Sequence, residues 1–142
     1  MISTHGMEVL RAQLQRHEGL RLNLYADLGG KTTVGYGRNL SANGISVDEA
    51  LLMLENDIEK ANLQLEGLPW FDGLSEARRI VIVNMCFNMG LAGVLGFTKM
   101  IYAIETGSWE DAAQEMLASK WATQVGKRAK ELAEIMESGL LI

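Results

Sequence analysis

Glu18, Asp27 and Thr33 are the residues whose types and spacing suggest chemistry. Glycoside hydrolysis needs a protonated carboxylic acid beside the leaving oxygen and an anionic partner across the sugar. A glutamate at a helix end beside apolar Leu20 is expected to be partly desolvated and to keep its proton. An aspartate in a glycine-rich polar turn stays solvated and charged. That asymmetry would separate acid from base. The spacing itself is weak evidence, because a Glu and an Asp nine positions apart are common. Glu18 could equally be a helix-end carboxylate paired with Arg16 or Arg21. Asp27 could be a turn residue that bonds its own backbone.

The elements that must position these residues can be read from periodicity. Met7, Leu10 and Leu14 form a helical stripe over residues 5 to 17, and Gly19 is a plausible stop. Leu20, Leu22 and Leu24 then alternate with polar neighbours at strand spacing, and Thr32–Tyr36 returns as a second strand. Residues 20 to 37 therefore read as one hairpin, turned at Asp27–Lys31 and followed by a loop through Gly44. Register is not fixed by turn chemistry here, so Thr32 and Thr33 are not separated by it. Ser46 and Glu49 fit a capping box that opens a helix to about Leu65. Ala50, Leu51, Leu54, Ile58, Ala61 and Leu65 are its expected buried side. Ser75 starts a central apolar helix to about Met89. Shorter helices are expected at 91 to 95, 98 to 106, 109 to 122 and 126 to 138, with Ser108 as a cap and Gly107 and Gly139 as stops.

The expected fold class is α+β and mostly α. A small β-hairpin lobe at about 18–45 joins a larger helical lobe at about 46–142 that also takes the N-terminal helix, all within one domain. A lone hairpin is marginal, so it must lean on helices, which invites a groove.

Composition narrows the function classes. The chain has 142 residues and a net charge of −5, which argues against nucleic acid as a main partner. The basic runs Arg78–Arg79 and Lys127–Arg128–Lys130, and the acidic run Asp48–Glu59, read most simply as solvated helix faces. The single cysteine, Cys86, excludes an internal disulfide and reads as a small buried hydrophobe. With two histidines, no zinc centre is expected, and no cofactor is needed. No apolar run approaches the roughly 20 residues of a bilayer span. Met1–Arg11 lacks the pattern of a secretory leader, so synthesis in the cytoplasm is expected.

The segment His17-Glu18-Gly19-Leu20-Arg21-Leu22, with Tyr25, Asp27, Thr33 and Gly35-Tyr36-Gly37, resembles the active-site region of bacteriophage-type lysozymes, the phage endolysin muramidases. Eight residues separate Glu18 from Asp27 and five separate Asp27 from Thr33, without a gap against that pattern. Ala77-Arg78-Arg79, Asn84 to Gly90 and Gly93 to Thr98 resemble the family's central helix and the turn after it. Trp109 to Ala113, Ser119-Lys120-Trp121 and Lys127-Arg128-Ala129 resemble its C-terminal helices.

The resemblance implies a lysozyme-like fold and hydrolysis of the β-1,4 bond between N-acetylmuramic acid and N-acetylglucosamine. It implies that Glu18 is the general acid, that Asp27 supports the cationic sugar and orients water, and that Thr33 holds that water, giving inversion. It also selects Thr33 over Thr32. Phe87 and Asn88 fall where the family lines its sugar groove, and Arg128 where it pairs an arginine with the acid. The implied partner is the glycan strand of peptidoglycan, met by a monomer that does not insert in membranes. The implied location is the host cytoplasm, with release to the wall through a holin-like pore.

Three departures accompany the match. Arg38 stands where relatives can carry histidine, Arg38 to Ile45 is short, and the net charge is acidic. Two other classes compete with the hydrolase: a lytic transglycosylase, which forms an anhydro sugar without water, and a non-catalytic wall-binding domain.

Overall fold

A computed structural model describes all residues from Met1 to Ile142. The backbone contacts divide them into two units, Met1–Leu51 and Leu52–Ile142. The architecture is α+β and mostly helical, as expected.

The first unit opens with α1 (Thr4–Glu18). Ser3 caps it by accepting the Gly6 N–H at 3.0 Å. Gly19 ends it at φ 70°, where its N–H returns to the Gln15 carbonyl. The chain then forms β1 (Arg21–Ala26), β2 (Thr32–Gly35) and β3 (Arg38–Asn39) in an antiparallel sheet ordered β1-β2-β3. The third strand corrects the expected hairpin. Gly35 and Gly37 take φ 71° and 76°, and this lets the chain reverse tightly enough to pair Val34 with Arg38. A short α2 (Leu40–Asn43), capped by Asn39, occupies the expected loop.

The stripe Met7–Leu10–Leu14 exists but buries nothing, since no residue of α1 is buried. Leu22 and Leu24 on β1 are also exposed. Thr33 is the only buried residue of this unit. A segment of about 50 residues is marginal for enclosing an apolar core of its own.

α3 (Val47–Leu65) opens on the expected capping box. The Glu49 N–H donates to Ser46 Oγ at 3.1 Å, and the Ser46 N–H donates to Glu49 Oε1 at 2.8 Å. Only Ala61 and Leu65 of its expected buried side are buried. Ala50 and Leu51 belong to the coreless first unit, and Leu54 and Ile58 line a cavity instead of a sealed core.

The second unit contains α4 (Pro69–Asp72), α5 (Glu76–Leu95), α6 (Thr98–Glu105), α7 (Trp109–Leu117), α8 (Lys120–Val125) and α9 (Lys127–Ser138). All the buried hydrophobic residues are here, with Val81, Ile82, Met85, Met100, Met116 and Met136 essentially inaccessible. Gly90, at φ 80°, interrupts α5 where two helices were expected to meet.

The expected helix at 109–122 is two helices. Ser119 splits it by accepting the Ala122 N–H and donating to the Met116 carbonyl. Ser108 stands at the α7 N-cap, but its hydroxyl donates to Asp111 Oδ2 instead of capping backbone.

α5 also corrects the membrane expectation. By length and composition alone, Glu76–Leu95 is long and apolar enough to cross a bilayer, with mean hydropathy 1.3. Glu76, Arg78 and Arg79 fall in its first turn, so an 18-residue stretch of the helix stays apolar on average. Ala77, Val81, Ile82, Met85, Cys86 and Val94 on this helix are core residues.

Candidate active site

Glu18 is the last residue of α1, and its side chain lies over Gly37. A Cβ at Gly37 would meet Glu18 Oε2 at 2.6 Å and Cδ at 2.9 Å. A side chain at 37 would displace that carboxylate. Neither Arg16 nor Arg21 pairs with Glu18: the Arg21 guanidinium instead sits 4.5 Å from the centre of the Tyr25 ring. The expected desolvation by Leu20 is not provided, because Leu20 is 52% exposed and Glu18 is exposed.

Asp27 builds the turn. Its Oδ1 accepts the Gly29 and Lys31 N–H groups at 2.9 and 2.8 Å, and its own N–H donates to the Lys31 carbonyl at 2.9 Å. The self-bonding turn role is therefore real. Both bonds fall on Oδ1, leaving Oδ2 outside the turn. Side chain and backbone together fix the register, which places Thr32 opposite Ala26 and Thr33 opposite Tyr25.

Thr33 is 3% exposed, and its hydroxyl donates to the Lys31 carbonyl at 2.8 Å. Its oxygen lone pairs remain able to accept a further donor. Thr32 is exposed, and its backbone N–H donates to Ser41 Oγ.

An irregularity in β1 matters for the two carboxylates. Arg21 pairs with Gly35 and Tyr25 with Thr33. Two steps along β2 thus face four along β1, so β1 bulges. The two pairing rows are roughly 7 Å apart along β2, whereas an unbulged β1 would need roughly 13 Å. The bulge draws Asp27 towards the Glu18 end of the sheet.

The remaining expected site residues belong to the second unit. Phe87, Asn84 and Arg128 line a cavity of about 570 Å³ with Leu54, Ile58 and Ile80. That volume falls in the ordinary range for small-molecule pockets. Phe87 is 42% exposed, so it presents its ring to the cavity instead of only packing. Arg128 is held by Asn84: Nε and Nη2 donate to Asn84 Oδ1 at 3.0 and 2.7 Å. Asn88 does not line the cavity. Its Oδ1 accepts the Trp121 Nε1–H at 2.8 Å, tying α5 to α8.

In the basic runs Lys127 and Lys130 are exposed as expected, whereas Arg78, like Arg128, is held by protein groups. Arg78 Nε donates to the Met136 carbonyl at 2.7 Å, and its guanidinium lies 3.9 Å from the Trp109 ring centre. Burial lowers the Arg78 pKa from its ordinary value. Cys86 is the expected buried hydrophobe, and burial raises its thiol pKa.

Sequence reading missed Asn84, which orients Arg128, and the bidentate pair of Arg38 with Glu49, at 2.9 and 2.6 Å. The arginine after Gly37 was the available signal for the second. Its acidic partner eleven positions on could not be chosen without the fold.

Comparison with known proteins fits this arrangement. The family described as Phage lysozyme matches residues 15–135, a span that holds Glu18, Asp27, Thr33, Phe87, Asn88 and Arg128. The chain is 26% identical to "Probable T4-type lysozyme 1" of Dictyostelium discoideum over 93% of this chain and 95% of that protein. It is 28% identical to the "Pre-baseplate central spike protein Gp5" of Enterobacteria phage T4, over 90% of this chain but 27% of that longer protein. An "Endolysin" of Acyrthosiphon pisum secondary endosymbiont phage 1 is 28% identical over 81% of this chain and 80% of that protein. On the extent of the family match, the chain belongs to the phage lysozyme family.

Proposed function

We propose that residues 1–142 form one lysozyme domain, a muramidase that hydrolyses the β-1,4 bond between N-acetylmuramic acid and N-acetylglucosamine in peptidoglycan. Glu18 protonates the leaving oxygen. Asp27 uses Oδ2 to orient water, to take its proton as it attacks and to support the positively charged sugar, and Thr33 Oγ accepts a bond from that water. Water attacks the face opposite the leaving group, so the sugar carbon inverts. Sugar covering the exposed Glu18 would itself exclude solvent from the reacting centre. Phe87 offers a ring face to the glycan, and Arg128, held by Asn84, offers donors to its carboxylate or amide groups.

The observation that carries this reading is a family match that spans Glu18, at the end of the helix before one bulged strand, and Asp27, in the turn directly after it. The acidic net charge of −5 supports a glycan over nucleic acid as partner. The packing of α5 in the core supports action at the wall without membrane insertion. In a phage setting the enzyme would act as a monomer, waiting in the host cytoplasm until a holin-like pore admits it to the wall.

The mass of the products in ¹⁸O-labelled water tests the chemistry. Hydrolysis puts one labelled oxygen on the new reducing end. An unlabelled anhydro end would make the enzyme a lytic transglycosylase, and no products from purified peptidoglycan would leave a wall-binding domain.

A further inference from the structure

We propose that the Arg38–Glu49 pair is a positioning device for the Glu18 carboxylate, acting through Gly37. The inference rests on Glu18 being the acid. The Glu18 carboxylate occupies the space that a side chain at Gly37 would fill, with Cγ, Cδ and Oε2 all within 3.2 Å of that absent Cβ. The backbone of Gly37 is therefore the floor under the carboxylate, and wherever Gly37 moves the floor moves.

Gly37 itself supplies little rigidity. It sits at φ 76° next to Tyr36 and Gly35, where the chain has wide conformational freedom. Its place is set on one side by Gly35, which the sheet pairs with Arg21, and on the other by Arg38, which alone adds a side-chain anchor.

Arg38 is tied down three times. Its backbone pairs with Val34 in the sheet. Nη1 donates to the Gly44 carbonyl at 3.1 Å. Both Nη atoms grip Glu49, one oxygen each. Glu49 is in turn anchored at the first turn of α3 by the Ser46 N–H. A planar fork on a carboxylate fixes orientation as well as distance. The pair lies at the surface, with side chains 39% and 42% exposed. Such pairs contribute little to stability, so orientation is its main effect. Arg38 is a positioning residue, since it touches Gly44 and Glu49 and acts on Glu18 only through Gly37.

The test compares kcat and KM of wild type, Arg38→Lys and Arg38→Gln on soluble peptidoglycan fragments, with circular dichroism to confirm folding. Arg38→Gln leaves the Ser46–Glu49 capping box intact. It is expected to lower kcat about tenfold with KM nearly unchanged, because small misplacements of a reacting group are costly. Arg38→Lys keeps the charge without the fork and is expected to recover part of the loss. A folded Arg38→Gln with wild-type kcat overturns the proposal. So does equal loss in both variants that merely tracks their melting temperatures.

A matched pair of glycine variants isolates the contact. Gly35→Ala and Gly37→Ala impose similar backbone strain, at φ 71° and 76°, but only a Cβ at 37 meets Glu18. Gly37→Ala should lower kcat about 100-fold more than Gly35→Ala, and equal effects would overturn the device. Glu18→Gln in the same assay separates the two levels. If it stays active, the assignment of the acid falls. If it is inactive while Arg38→Gln is fully active, only the positioning role falls.

Discussion

The two units are held by different forces. The second, Leu52–Ile142, encloses every buried hydrophobic residue of the chain. The first, Met1–Leu51, buries only a threonine and relies on hydrogen-bonded turns, three capping motifs and the Arg38–Glu49 fork. The proposed acid, aspartate and threonine all lie in the unit without a core. Packing fixes side chains in the second unit, whereas backbone geometry at Gly19, Asp27 and Gly37 fixes them in the first. A site built this way should lose activity from changes that barely alter stability.

The largest stability effect should come from the second unit. Phe71 is 2% exposed, and Phe71→Ala should cost about 3–5 kcal/mol in chemical denaturation. Leu22 on β1 is 80% exposed, so Leu22→Ala should stay within about 0.5 kcal/mol. Similar losses from both would erase the contrast between the units.

Within the first unit the adjacent threonines sharpen it. Thr33→Ala should reduce kcat/KM by about 100-fold, comparable in size to loss of one transition-state hydrogen bond, while Thr32→Ala changes it little. Equal activity of the two variants would remove Thr33 from the site.

The smallest effect concerns pH. Hydrogen bonds from Arg38 and Ser46 hold the Glu49 carboxyl at about 2, below its ordinary 4.5. A depressed carboxylate stabilises the fold above the unfolded value and loses that contribution as pH falls through the folded one. The stability advantage of wild type over Glu49→Gln should thus be constant above about pH 4.5 and vanish towards pH 2. Because the pair is exposed, salt should weaken it. An advantage that grew on acidification would contradict the pairing.

These contrasts also explain what could be read from sequence. Local chemistry was legible: the Gly19 stop, the Ser46–Glu49 box, the turn at Asp27 and the interruption at Gly90 each depend on neighbours within a few residues. Burial in α1 and in the front half of α3 was not. An apolar stripe shows that a helix has a face, but whether anything covers that face depends on how much core its unit can build. Long-range polar pairs were equally hidden. Asn84 with Arg128, Asn88 with Trp121 and Arg38 with Glu49 join residues whose types are ordinary and whose partners only the fold selects. The third strand was missed because its two residues are too few to show alternation. The candidate site was legible mainly through its resemblance to a family, since a Glu, an Asp and a Thr in a hairpin carry little signal alone.

The most direct measurement is the release of soluble sugar from purified peptidoglycan by wild type and Glu18→Gln at equal concentration, with both shown to be folded. Wild type should release sugar steadily, and the variant should lose at least about 100-fold of that rate without a fall in melting temperature. A Glu18→Gln protein that still cleaves at the wild-type rate would contradict the role of Glu18 as the acid.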